Sequence, residues 1–174
     1  MNKCFGSKRE MVQRHMTDVH DVDKDQTGWT AFCEALKDTS IQTLVISDIG
    51  IGPVGLTTLA KFIPDSTAIS EVNLSKNKCF DAASVKAFAD VIPQTKIQTL
   101  VIGPKATVVP LHQSEVTSLD FSSQDLGPAE LIMISAVMSF IPELSELNLE
   151  SNPAITAADI EDLKKSHPNI RFTI

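Results

Sequence analysis

The chain has 174 residues, 43% of them hydrophobic and 21% charged, and carries a formal net charge of -7 at pH 7. That balance fits one globular domain with a single sizeable core, and no run approaches the ~20 apolar residues of a membrane-spanning helix. The acidic excess opposes attraction to phosphate backbones, so neither nucleic acid nor a membrane is the expected partner.

The beginning of the chain, with Lys3, Lys8 and Arg9, lacks the apolar stretch of a secretory signal. Cys4, Cys33 and Cys79 show no paired spacing. The expectation is a cytoplasmic chain with reduced thiols. Residues 1–40 read as a helical N-terminal cap. Ser7-x-x-Glu10 is a capping box before an apolar stripe of Met11, Val12, Met16 and Val19, and Trp29 to Leu36 has the pattern of a second helix. The other reading of the first residues is a basic arm, with Lys3, Lys8, Arg9 and Arg14 against Glu10.

From Ile41 onward the sequence repeats. Units beginning at Ile41, Ile69, Ile97, Val116 and Leu144 carry apolar residues at their first, fourth and sixth places, at spacings of 28, 28, 19 and 28. Alternation at the fourth to sixth places predicts strands at 44–46, 72–74, 100–102, 119–121 and 147–149 in one parallel sheet, with those apolar residues inward. Helical stripes follow at Leu56, Leu59, Ile63; Val85, Phe88, Ile92; Leu131, Ile134, Met138; and Ile160, Leu163. Gly52-Pro53 and Gly127-Pro128 open two helices, Asp81 and Thr156 cap the other two, and Pro64, Pro93, Pro142 and Pro168 stop them.

The third unit breaks the pattern. Its residues 103–115 hold no helical stripe, which predicts an extended connector. The helix expected at 129–141 is also exceptional. With Leu131, Ile134, Met138 and Ile141 facing the core, its opposite side holds Ile132, Met133, Ala136 and Phe140. Those four residues form either an exposed patch, open to a partner or a second copy, or a surface covered by Val108, Val109 and Leu111. Residues 170–174 predict a last edge strand.

A unit of this length buries too little apolar surface to offset the entropy of ordering it, so the units must stack into one continuous core. The pattern L-x-x-L-x-L-x-x-N-x-L and the 28-residue period resemble the ribonuclease-inhibitor-like leucine-rich repeats, over about residues 41–174. That resemblance implies an α/β fold: a curved right-handed solenoid, with a parallel sheet on the concave side and helices on the convex side. The family's asparagine slot holds Ile49, Asn77, Lys105, Gln124 and Asn152, so only two units keep it.

Strand alternation turns Asp48, Glu71, Asn73, Lys76, Asp120, Glu146, Asn148 and Glu150 toward the expected concave face. This acidic surface points to a non-catalytic binding module for a basic protein. The other class is a GTPase regulator resembling the Ran GTPase-activating protein, which shares the repeat type. A third reading is nucleotide binding through the G-x-G-x-x-G turn Gly50-Ile-Gly52-Pro-Val-Gly55, although Pro53 removes an amide there and the repeat itself accounts for Gly52-Pro53.

Other motifs lack the chemistry they suggest. Asp21-x-Asp23-x-Asp25 starts like a calcium loop but has Gln26 at the sixth place and Phe32 at the twelfth, so it lacks the glycine and the bidentate carboxylate. His15, His20, His112 and His167 form no metal spacing, and no nucleophile motif occurs. No enzyme activity, metal or cofactor is expected.

Overall fold

The computed structural model describes Asp23 and residues 25–77 and 80–174. The expected box at Ser7 and Glu10, the stripe from Met11 to Val19, Asp21, His15, His20, Cys4 and Cys79 lie outside the described residues. The described part is a mixed α/β fold built from four parallel strand pairs, one antiparallel pair and five α-helices.

Helix α1 (Thr27–Ala35) ends in a 3-10 turn and leads to β1 (Thr43–Val45), α2 (Pro53–Phe62), β2 (Glu71–Asn73) and α3 (Ala82–Val91). There follow β3 (Thr99–Ile102), β4 (Thr107–Pro110), β5 (Ser118–Asp120), α4 (Pro128–Met138), β6 (Glu146–Asn148), α5 (Ala157–Ser166) and β7 (Arg171–Thr173). The strands begin one residue earlier than the alternation alone predicts, and α4 stops before Ile141.

The register follows the repeat. Thr43 pairs with Glu71 and Glu71 with Thr99 in parallel ladders, and Ser118 pairs with Glu146 and Glu146 with Arg171. Leu44, Ile46, Val72, Leu74, Leu100, Ile102, Phe121, Leu147 and Leu149 are buried, together with the helical stripes, in one contiguous core. Ile41 departs from the inward expectation and is 41% exposed.

Helix starts use two chemistries. Asp81 and Thr156 accept the amides of Ser84 and Asp159 at 2.8 and 3.3 Å, which satisfies donors that the first turn leaves unpaired. Gly52 and Gly127 have no side chain to do this. The carboxylate of Asp23 instead accepts the Val54 amide at 2.8 Å, and Glu130 accepts that of Gly127 at 2.9 Å. Gly55 carries a packing role: an added Cβ would lie 2.8 Å from Ile51, and its carbonyl accepts the indole N–H of buried Trp29 at 2.8 Å.

The expected single parallel sheet is replaced by two sheets, ordered β1-β2-β3-β4 and β5-β6-β7. The cause lies at Pro104. Just past the strand, Asp48, Lys76, Ser123 and Ser151 all take a positive φ, between 54 and 63°. Pro104 holds that place in the third unit, and its ring locks φ near -65°. Gly103 takes the positive φ instead, at 74°, the Ala106 amide donates to its carbonyl at 3.3 Å, and the chain returns as β4, antiparallel to β3. The predicted connector is thus partly a strand.

Gly103 is also tightly enclosed, since an added Cβ would sit 2.9 Å from Leu126. Gly103→Ala is expected to destabilise the chain by roughly 2–4 kcal/mol, from left-handed backbone strain plus a clash with a buried leucine. Urea unfolding measures this directly. A loss below about 0.5 kcal/mol would contradict the turn geometry.

The missing helix leaves α4 directly beside α3, with α5 on its other side. This accounts for its second apolar face, and of the two readings of that face the burial favours a largely covered surface. Met133 is 2% exposed, Ala136 and Phe140 are half-buried against the core, and Ile132 alone of the four is exposed. Val109 and Leu111 are buried while Val108 is exposed. After β4 the chain meets the end of α4, where the His112 amide donates to the Phe140 carbonyl at 2.7 Å and the two rings lie 5.5 Å apart.

Candidate functional site

The acidic residues predicted to share a face do so within each sheet. Glu71 and Asn73 stand on β2, Asp120 on β5, and Glu146 and Asn148 on β6, all on the face turned away from the buried Leu44, Val72, Leu100 and Leu147. Asp48, Lys76 and Glu150 follow the strand ends and are exposed. The break between β4 and β5 divides the set, with Asp48, Glu71, Asn73 and Lys76 on one sheet and the other four on the second.

Part of this polar surface serves the backbone. Asn73, Asp120 and Asn148 occupy the same place in their units, and each side-chain oxygen accepts the amide two residues on, from Ser75, Ser122 and Glu150, at 3.0 Å in each case. Such local bonds turn the chain at the strand end. The bond from the Ser122 amide, helped by its hydroxyl, holds the Asp120 carboxyl below the usual carboxylate range. Asp120 therefore stays charged at neutral pH.

Glu146 has an ion-pair partner, Arg171 Nη1 at 3.1 Å, on the neighbouring strand. Both side chains are largely exposed, so the pair adds little stability, but it removes one carboxylate from the unneutralised set. Glu71 and Glu150 have no side-chain partner among the described residues. They, with Asp48 and Asp120, supply the negative field of the strand face.

The glycine-rich turn is occupied by the protein itself. The amides of Gly50 and Ile51 donate to Asn77 Oδ1 at 2.9 and 3.2 Å, and the Val54 amide donates to Asp23. These are the groups a phosphate would need at a helix N-terminus. Asn77 and Asn152, at the same place in their units, act alike: Asn77 Nδ2 donates to the carbonyls of Ile46 and Leu74 at 2.7 and 2.9 Å, and Asn152 Nδ2 to those of Phe121 and Leu149 at 2.9 and 2.8 Å. Asn152 Oδ1 accepts from Gln124 and Leu126. Each asparagine thus ties its unit to the preceding one.

Where the slot holds Lys105 the bonding runs forward. Lys105 Nζ donates to the Ser123 carbonyl at 2.6 Å and lies 3.0 Å from Asp125, while Thr107 Oγ1 donates to Gln124 Oε1 at 3.2 Å. These contacts join the two sheets at their turns. The spacing of Lys105 and Gln124 marked an interrupted asparagine slot, but nothing in the sequence signalled that Lys105 and Thr107 reach the turn at 123–125.

Among the described residues no group of His, Cys, Asp or Glu has the geometry of a metal site. Asp25 Oδ1 caps the Thr27 amide at 3.1 Å, so Asp23 and Asp25 both serve helix starts. Burial pushes the Cys33 thiol up to about 12, which keeps it protonated and unreactive. His167 bonds Ser135 Oγ through Nε2 at 2.9 Å, and burial lowers its basicity. No described helix is long and apolar enough to cross a membrane. The chain matches no protein-family model and no curated protein sequence.

Proposed function

We propose that the chain is a right-handed leucine-rich-repeat solenoid of the ribonuclease-inhibitor type, whose concave strand face binds a basic protein without catalysing a reaction. The 28-residue offset of three of the four parallel strand pairs and the two inter-unit asparagines support the repeat reading. The observation that carries the binding reading is the strand face itself: four exposed or half-exposed carboxylates, Asp48, Glu71, Asp120 and Glu150, with no ion-pair partner among the described residues. The engaged amides at Gly50, Ile51 and Val54 favour this over nucleotide binding.

Charge on such a surface acts chiefly on the rate of encounter and its salt dependence. For a basic protein captured on the parent chain, the double variant Glu71→Lys/Glu150→Lys is expected to slow association about tenfold at low salt and to flatten its salt dependence, with dissociation little changed. Stopped-flow or surface-based kinetics across a salt series provide the test. Equal association rates for parent and variant would overturn the assignment.

A further inference from the structure

We propose that the outer face of the first sheet anchors one apolar side chain of the basic partner, carried on an extended segment with a lysine or arginine two residues away over Glu71. The inference rests on the protein-binding reading and names the feature that its partner must carry.

The strand pairing lays out that face. Val45, Asn73, Val101 and Val108 are register partners across β1, β2, β3 and β4, so they form one row on the side opposite the buried Leu44, Val72, Leu100 and Val109. Val45 and Val108, at the two ends of the row, are 60% and 54% exposed, while Val101 within it is 6% exposed. The second sheet has no such row. Its outer positions are Ser118, Glu146 and Arg171 in one row and Asp120, Asn148 and Thr173 in the other.

The valines also depart from a local rule of the repeat. At the same place in their units, Asn73, Asp120 and Asn148 each accept the amide two residues on. Val45 and Val101 have no acceptor to offer the Ser47 and Gly103 amides. Val101 gains burial in exchange, but Val45 gains almost none, and a polar side chain there would serve both the turn and the solvent. A local preference given up without structural return is the mark of a surface kept for binding.

Charge selects the occupant. Thr43, Glu71, Thr99 and Pro110 form the neighbouring outward row. Glu71 is therefore diagonal to both Val45 and Val101, at roughly 7–8 Å. Alternate residues of an extended chain lie about 7 Å apart and share a face, so a segment that seats an apolar side chain on the valines brings the residue two away over Glu71. Glu71 has no ion-pair partner among the described residues. The exposed Lys76 past the other end of β2 sets the direction, since the partner's cation belongs at the Glu71 end. A second copy of this chain, at net charge -7, is opposed by its own field.

The test uses three peptides, Lys-Ser-Leu-Ser-Lys, Lys-Ser-Ser-Ser-Lys and Glu-Ser-Leu-Ser-Glu, followed by valine-methyl NMR. The first should shift the methyl signals of Val45, Val101 and Val108 and bind about fivefold more tightly than either of the others. Val45→Asn supplies the acceptor found at Asn73, and should keep the thermal midpoint while weakening that peptide about fivefold. Val108→Thr keeps the branched shape and should weaken it similarly, which serves if Val45→Asn does not fold. Glu71→Gln should weaken it about threefold at low salt. Equal binding of the leucine and serine peptides to the parent, with Glu71 still required, would overturn the apolar anchor and leave the acidic-face reading intact. A preference for leucine without one for lysine over glutamate would overturn the basic occupant. Absence of binding by all three would also overturn the anchor, the face then being judged by the charge-reversal kinetics. Valine-methyl shifts that follow protein concentration without peptide would replace the partner by a second copy.

Discussion

Asn77→Ala is expected to lower the free energy of unfolding by roughly 3–5 kcal/mol, a large part of the total for a small domain. Asn77 is 5% exposed and its side chain bonds four backbone groups at 2.7 to 3.2 Å: the amides of Gly50 and Ile51 and the carbonyls of Ile46 and Leu74. Alanine leaves all four without that partner in a place where water enters poorly, and each orphaned group costs about 1–3 kcal/mol before relaxation. Aspartate should be nearly as damaging, because it keeps the acceptor but turns a negative oxygen toward two carbonyls. Urea unfolding with amide exchange at Gly50 and Ile51 measures both the global loss and the local loosening. A loss under about 1 kcal/mol would show that the turn after β1 holds itself.

Much of the repeat was legible because apolar periodicity reports burial, and burial is what stacking demands. Leu56, Leu59, Val85, Phe88, Ile160 and Leu163 are all buried as their spacing required. The asparagine slot also reads correctly at Asn77 and Asn152, where one side chain matches the donor and acceptor pattern of the neighbouring turn. The third unit was less legible. Absence of a helical stripe excluded a helix, but Gly103-Pro104 followed by Val108-Val109 was itself a turn-and-strand signal, with proline suited to the second position of a tight turn. Reading these residues as a connector kept the strands in one sheet, and the structure divides them.

The helix that follows shows why a local pattern can mislead. Met133 lies on the side of α4 that an isolated amphipathic helix would show to solvent, yet it is buried, because the neighbour it meets is set by a deletion nearly thirty residues upstream in the chain. Periodicity within one helix carries no information about such a neighbour. The candidate site was legible to a similar degree. Alternation placed its residues on a common side of each strand, but the pairing of Glu146 with Arg171 and the backbone bonds of Asn73, Asp120 and Asn148 depend on distances between and within turns.

Leu100→Asp is expected to abolish cooperative folding at neutral pH. Leu100 is fully buried in β3, between Val72 of β2 and Val109 of β4, with no basic side chain in the buried core to pair with a carboxylate. Removing a charge from water there without a partner exceeds about 5 kcal/mol, comparable with the whole stability of the domain. Burial would raise the aspartate's pKa in any folded form, so the penalty is greatest above that raised value and declines as pH falls through it. Partial recovery of structure on mild acidification is therefore expected, the reverse of ordinary acid unfolding. The outward neighbour in the pattern supplies the control. Val45 is 60% exposed on the opposite face of β1, and Val45→Asp should change stability by no more than about 0.5 kcal/mol. Circular dichroism melts of both variants at two pH values test the register directly, since a slip of one residue would exchange the two outcomes. A stable Leu100→Asp protein beside an unfolded Val45→Asp protein would overturn the assignment of the strand faces and, with it, the placement of every acidic residue on the proposed binding face.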